Sequence, residues 1–289
     1  MNTWVRELLR RPAGRFGTVV VGAVFGAALL SLFWTPHDLL QQDIAERWRG
    51  PGQQHWLGTD QIGRDTLSWL LAGSRTTVLV ATWATLIAAA VGIALAALTA
   101  LSPRWLAEPV IVVVDILIAF PVLLIAMLLA AAFGGSLSVV VTAVGVGVGV
   151  NIARVVRPEI RRVLASDYVL AARAGGVGPG GVLARHVIPG AGPVVIVQLS
   201  YVAAIAILAE ASLSYLGYGA PPGTPSWGRS LSESQQYISV QPASVLWPGL
   251  AIALTVLAIT LLGDALREAL DPRLRRRPAV RPAAKEAAT

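Results

Sequence analysis

The chain has 289 residues, of which 55% are hydrophobic and 13% charged, with a formal net charge of +7 and a mean hydropathy of +0.66. Ordinary soluble domains carry roughly 25% charged residues, so the composition excludes that class and points to a membrane solvent. Zero cysteines exclude a disulfide framework, a thiol nucleophile and iron–sulfur ligation by cysteine.

The first fifteen residues set Trp4, Val5, Leu8 and Leu9 beside Arg6, Arg10 and Arg11, a pattern suited to lying along a membrane interface. Windows free of Asp, Glu, Lys and Arg then run over 16–36, 76–103, 116–153, 187–209 and 234–263. Each is long enough for the roughly 20-residue helix that crosses a bilayer, and Gly134-Gly135-Ser136 divides the third. The pattern predicts six membrane helices at about 16–36, 75–101, 109–133, 137–154, 189–210 and 245–263. The first is long for a signal peptide and lacks a small-residue cleavage pattern after Ser31, so it reads as a retained anchor. The implied organisation is an interfacial segment 1–15 and a first helix with its loop over 16–74. A five-helix core 75–266, containing a loop at 155–188, and a tail 267–289 follow.

An interior N-terminus places 18 of the 23 basic residues inside and leaves Arg47, Arg49, Arg64, Arg75 and Arg229 outside. The positive-inside bias then agrees at every inner segment, and both termini are cytoplasmic. The charge is therefore spent on orientation, and the chain lacks the aromatic-interleaved basic surface of a nucleic-acid binder.

Chemistry is sparse. The only lysine, Lys285, is followed by glutamate, so no phosphate-binding loop is present. Asp115, Glu210 and Asp264 are the acids nearest the membrane interior, and each reads more readily as a structural contact than as an ion relay. Asp264 and Arg267 are three apart and can pair on one helix face. His37, His55 and His186 fall on both predicted sides of the membrane, so the three cannot share one metal site. The Gly145, Gly147, Gly149 alternation inside an apolar span suits close helix approach.

The basic segment Arg154–Arg185 is the most informative part of the chain. It holds Arg154, Arg157, Arg161, Arg162, Arg173 and Arg185 but only Glu159 and Asp167 as acids. Pro158 is placed to begin one short helix, and Asp167 to cap a second that Gly175 and Gly176 stop. A third short piece runs to Arg185-His186. The product is a helix–turn–helix knob small enough to enter a cleft on a cytosolic protein.

Ser166-Asp167-Tyr168-Val169-Leu170-Ala171-Ala172-Arg173-Ala174-Gly175-Gly176, followed by Arg185-His186-Val187-Ile188-Pro189, resembles the EAA signature of ABC importer permeases. Leu170 stands at the usual glutamate and Ile188 at the usual leucine. Further blocks resemble the second, C-type permease of the dipeptide/oligopeptide/nickel branch. They are His55-Trp56-Leu57-Gly58-Thr59-Asp60-Gln61-Ile62-Gly63-Arg64-Asp65, Asp115 with Phe120-Pro121, Glu210 to Gly217, Pro225-Ser226-Trp227-Gly228, and Gly263 to Arg273.

The resemblance implies an all-α integral membrane protein with the type I ABC importer permease fold, in a bacterial or archaeal plasma membrane. It implies a non-catalytic subunit of an ATP-driven peptide importer, forming half of the path; nickel chelates or glutathione-like solutes are the alternative cargo, and an ATPase-independent secondary transporter the rival reading. Asp167, Tyr168, Leu170, Ala171, Ala172, Arg173, Gly176, Arg185 and Pro189 are expected to serve the coupling to an ATPase, with residues 158–186 as the docking region. Gly58, Asp60, Gly63, Arg64 and Asp65 are expected to form a structured external turn with a charged network. Glu210, Ser212 and Trp227 mark an outer region, where the aromatic residues serve as interfacial anchors or meet a binding protein. Implied partners are a homologous permease, two ATPase subunits or domains, an external substrate-binding protein and lipid. ATP and magnesium are expected on the ATPases, with no cofactor or metal in this chain.

Overall fold

The computed structural model describes residues 3–270, and the tail beyond lies outside the described residues. The order is α1 (Thr3–Arg10), α2 (Pro12–Phe33), α3 (Thr66–Leu101), α4 (Arg104–Ile118), α5 (Val122–Phe133) and α6 (Leu137–Leu164). There follow α7 (Asp167–Ala174), α8 (Pro179–Val182), α9 (Ile188–Tyr215), α10 (Trp227–Ser234) and α11 (Ala243–Leu270). Among the described residues, five helical stretches are long and apolar enough to cross a membrane: Pro12–Phe33, Thr66–Leu101, Leu137–Leu164, Pro179–Tyr215 and Ala243–Leu270.

The expected third span, 109–133, is not one straight helix. Its apolar length is divided between α4 and α5, which meet at 82°. The cause is local: Pro121 has no N–H to donate and disfavours helical geometry at Phe120. Elsewhere the helices outrun their expected ends. α3 begins at Thr66, where the Asp65 carboxylate caps the Ser68 amide, rather than at 75. α11 runs to Leu270 and so takes in the first residues assigned to the tail. α6 continues through Pro158, which was expected to start a separate helix. It continues because the buried stripe does: Ile152, Val156, Ile160 and Val163 are four or three residues apart and all buried.

The core is the parallel contact of α3 with α6. α3 presents Ala84, Ala88, Gly92 and Ala96 at four-residue intervals, all buried. α6 answers with Gly145 and Gly149. A Cβ on Gly92 would come within 2.6 Å of Ile152 Cβ, one on Gly145 within 2.8 Å of Ile87 Cβ, and one on Gly149 within 3.0 Å of Val91 Cβ. Gly147 faces the other way, against Val122 of α5. The glycine alternation thus serves two neighbours, as small residues do where lipid offers no hydrophobic driving force and backbones must approach.

α2 and α11 pack antiparallel beside this core. Gly17 lies against Ala258 and Leu262, and Arg11 at the foot of α2 pairs with Glu268 of α11. At the other end of α2, Ser31 Oγ accepts a hydrogen bond from Arg75 Nε at 2.7 Å. One end of the bundle therefore carries segment 34–65, and the opposite end carries α1, α7 and α8.

Replacing Gly92 with alanine should lower the thermal midpoint of the detergent-purified chain, at an overpacking cost of about 1–3 kcal/mol. Gly22→Ala is the control, because a Cβ there meets nothing within 4 Å. Equal midpoints for the two variants would show that α3 and α6 are not in this contact.

Candidate functional site

Between the long helices α6 and α9, the chain makes a compact elbow. Ser166 precedes α7, but its hydroxyl donates to Val163 O at 2.6 Å and does not cap the helix. Asp167, expected as the cap, is the first helical residue; its charge there still suits the helix dipole. Val169 is fully buried and pins α7 to the core, while Asp167, Tyr168, Leu170, Ala171 and Arg173 are exposed and Ala172 half-buried. The Tyr168 ring lies 5.8 Å from that of His186.

The end of α7 explains its glycines. Gly176 has φ +85°, its amide donates to Arg173 O at 3.0 Å, and the Val177 amide donates to Ala172 O at 3.0 Å. This is a Schellman closure, in which the left-handed residue is nearly always glycine. The expected third short helix is not a separate piece. α8 passes through a π-helical turn at Leu183–Val187 directly into α9, leaving Arg185 and Pro189 exposed on the same end. The predicted coupling residues are therefore brought to the same end of the bundle.

The 34–65 segment is built around two left-handed glycines. Gly58 and Gly63 have φ of +80° and +77°, and a Cβ on Gly63 would fall 1.8 Å from Asp43 O. The expected single network of Asp60, Arg64 and Asp65 is in fact two. Asp60 Oδ1 accepts the Ile62 and Arg64 amides at 2.9 Å, and its Oδ2 accepts from Arg64 Nε at 2.6 Å. Arg64 also donates to Glu233 of α10 at 2.9 Å, Arg229 donates to the other Glu233 oxygen at 2.9 Å, and the Arg64 guanidinium lies 4.0 Å over the Trp69 ring. The turn is thereby bolted to α10, a link across 169 residues that no local pattern revealed.

Asp65 belongs to the second network. Its Oδ2 accepts from the Ser68 amide at 2.8 Å and hydroxyl at 2.7 Å, and its Oδ1 lies 2.8 Å from His55 Nδ1. His55 Nε2 lies 2.9 Å from Glu46 Oε2. The His37 ring stacks 4.5 Å from that of His55, with Nδ1 3.6 Å from Asp65 Oδ1. Burial opposes a charge on His55, but its bonds to Asp65 and Glu46 outweigh it and raise the imidazole above its ordinary pKa. Burial likewise pushes the Asp65 carboxyl up, while the Ser68 and His55 bonds bring it below the usual range; Glu46 is lowered chiefly by His55. The three histidines do not meet, as expected, yet two of them converge on a carboxylate. Sequence reasoning missed this group although His37 and His55 share one inter-helix segment, the signal that could have found it.

Glu210, Ser212 and Trp227 do not form an open surface. Glu210 is buried, and its Oε1 accepts from Ser214 Oγ at 2.7 Å and Ser226 Oγ at 2.8 Å. Ser226 caps α10, so the pair clamps the 216–226 turn to α9. Trp227, expected at an interface, is buried with Nε1 donating to Leu70 O at 2.9 Å, and Gly73 leaves room for its ring. Ser212 instead donates to Leu208 O at 2.7 Å within its own helix. Tyr215, Leu216 and Tyr218 are exposed large side chains of this region.

Asp264, expected to pair with Arg267, accepts from Tyr201 OH at 2.5 Å and so ties α11 to α9. Arg154 lies 3.8 Å from Asp115 across the α4–α6 contact, at a cleft of about 400 Å³ that Arg157 and Arg161 also line.

Residues 88–276 match the family model described as "Binding-protein-dependent transport system inner membrane component". A putative peptide transport system permease protein of Brucella suis is 36% identical over 93% of this chain and 91% of its own length. The dipeptide transport system permease protein DppC of Alkalihalophilus pseudofirmus is 32% identical over 93% and 89%. The glutathione transport system permease protein GsiD of Pectobacterium atrosepticum is 34% identical over 94% and 89%. Among solved structures, an inward-facing MetNI methionine ABC transporter chain superposes with TM-score 0.57 at 18% identity, over 70% of this chain and 96% of that one. An amino acid ABC transporter chain gives 0.52 at 17%, over 70% and 94%. The fold is that of ABC importer permeases, and the chain belongs to the binding-protein-dependent transport system inner membrane component family.

Proposed function

We propose that this permease is one transmembrane subunit of an ATP-driven importer of peptides, paired with a homologous permease to enclose the path. The observation that carries the coupling part is α7, a helix held by one buried valine and mostly exposed at the elbow between two long helices. Residues 158–186 dock there on an ATPase subunit, and ATP and magnesium are bound by that partner. ATP-driven closure of the ATPases is transmitted through α7 to α6 and α9, which makes the elbow the element that both ends of the machine bias. Leu170 at the elbow is exposed and apolar, so docking at that point relies on packing where a glutamate would rely on charge. The relatives named for peptide and dipeptide transport support the peptide reading, and the one named for glutathione supports small peptide-like solutes as the second.

An external substrate-binding protein delivers solute to the end formed by 34–65 and 216–242. Both termini and α7 are cytoplasmic in this reading, in a bacterial or archaeal plasma membrane, because that arrangement puts 18 of 23 basic residues inside.

Gly176→Val forces a β-branched residue into a left-handed conformation that costs about 1–2 kcal/mol. In proteoliposomes of the assembled transporter, uptake should fall several-fold while ATP hydrolysis persists; unchanged uptake per ATP hydrolysed would remove the coupling role of α7. A cysteine at Leu170 should also crosslink to one in the ATPase groove.

A cysteine at exposed Gln53 should react with an impermeant thiol reagent added outside whole cells. One at exposed Arg173 should react only in inverted vesicles. Reversed labelling would invert the topology.

A further inference from the structure

From the convergence of His37, His55 and Asp65 we infer a divalent metal site of the zinc class in the 34–65 segment, distinct from the α7 surface. The donors would be His37 Nδ1, His55 Nδ1 and Asp65 Oδ1. One ligand atom from each residue lies within 4.8 Å of the other two. Asp65 Oδ1 is 2.8 Å from His55 Nδ1 and 3.6 Å from His37 Nδ1. Donors about 2.0–2.1 Å from a tetrahedral zinc stand about 3.3 Å apart, so the two Asp65 edges bracket the required spacing, and the third edge, between the histidines, lies within 4.8 Å and closes by rotation of the half-exposed His37 ring. Two imidazoles and a carboxylate are a zinc-class donor set.

The surroundings are those of a built site. His37 Nδ1 is buried and has no hydrogen-bond partner, which is costly for a ring nitrogen unless something occupies the space before it. The His37 backbone is fixed, its amide donating to Ser68 Oγ at 3.0 Å and its carbonyl accepting from Thr35 Oγ1 at 2.8 Å. Asp65 is oriented by the two Ser68 bonds to its far oxygen, which leaves Oδ1 aimed at the histidines. The outward nitrogen of His55 faces Glu46 at 2.9 Å. A carboxylate behind a ligating imidazole is the arrangement that fixes its tautomer and raises its basicity. Three protein donors leave a fourth position for water, and the adjoining cavity of about 210 Å³ is lined by Gln41, Asp43 and Gln54.

Binding replaces the proton between His55 Nδ1 and Asp65 Oδ1 with the metal and releases it to solvent. The metal would then join the chain just beyond α2 to the first turn of α3, 28 residues on by the numbering of His37 and Asp65. A purely hydrogen-bonded clamp of Glu46, His55 and Asp65 accounts for His55 but gives His37 Nδ1 nothing to do.

The test uses the assembled transporter in nanodiscs, stripped with a chelator and titrated with zinc against a chromophoric competitor. His37→Gln is the informative variant, since it keeps the Glu46–His55–Asp65 bonds and the loop with them. Wild-type complexes should hold one more tight zinc per copy of this chain than His37→Gln complexes, and Glu46→Gln should weaken that zinc about 10–100-fold. Cobalt should give the intense visible absorption of a four-coordinate site in wild type and lose it in His37→Gln. Equal zinc stoichiometry and affinity in wild type and His37→Gln, or a cobalt spectrum that the variant does not change, overturns the site.

Discussion

Everything else in this molecule depends on how closely α3 and α6 approach. In a bilayer neither helix gains by hiding apolar surface from lipid tails, which are as apolar as its own side chains. What holds the pair is dispersion between backbones brought together by Ala84, Ala88 and Gly92 on one side and Gly145 and Gly149 on the other. Individual contacts of this kind are worth only about 0.1–0.2 kcal/mol, so their number decides. A thirty-six-residue α3 lying along α6 supplies that number. It also sets the position of both ends: Asp65 at the head of α3 and the α7 elbow beyond α6 are fixed relative to one another by the same stripe.

The two ends are built by different physics. At the α7 end the elbow is held lightly, by Val169 and the Schellman closure, with its polar and aromatic groups left exposed. So light an attachment suits the docking role proposed for it, since few contacts would have to be broken. At the 34–65 end the charged groups are satisfied internally. Arg64 is shared between Asp60 and Glu233, Glu210 is enclosed by two serine hydroxyls, and Asp65 is divided between Ser68 and His55. Hydrogen bonds to charged groups contribute about 1.5–3 kcal/mol each, and here they fasten irregular backbone to the helix ends. The large side chains left exposed at this end include Leu40, Ile44, Trp56, Tyr215, Leu216 and Tyr218.

The broken span α4–α5 gives the fold its asymmetry. The 82° bend at Pro121 sets α5 against Gly147, while α4 lines the Arg-bearing cleft beside Asp115. Tyr201 with Asp264, and Arg11 with Glu268, close the opposite side by tying α11 to α9 and α2. Each of these contacts joins residues from different parts of the bundle, and for Asp264 the expected local partner, Arg267, gives way to Tyr201.

The sequence by itself determined the solvent, the helical class, the number of apolar segments and the family, because charge-free windows and linear motifs are local properties of the chain. It also determined where α7 ends, since a left-handed residue needs glycine and Gly176 stands where one is required. Tertiary structure decided how the charges are shared. Arg64 keeps its sequence neighbour Asp60 but also meets a residue 169 positions away, and Asp65 leaves that pair for a histidine ten positions away. It also decided that Trp227 is a buried strut and not an interfacial anchor, because Gly73 on α3 opens the space its ring fills. Side-chain partners across helices depend on register and crossing geometry, and those are fixed only when the small-residue stripes of α3 and α6 have come together.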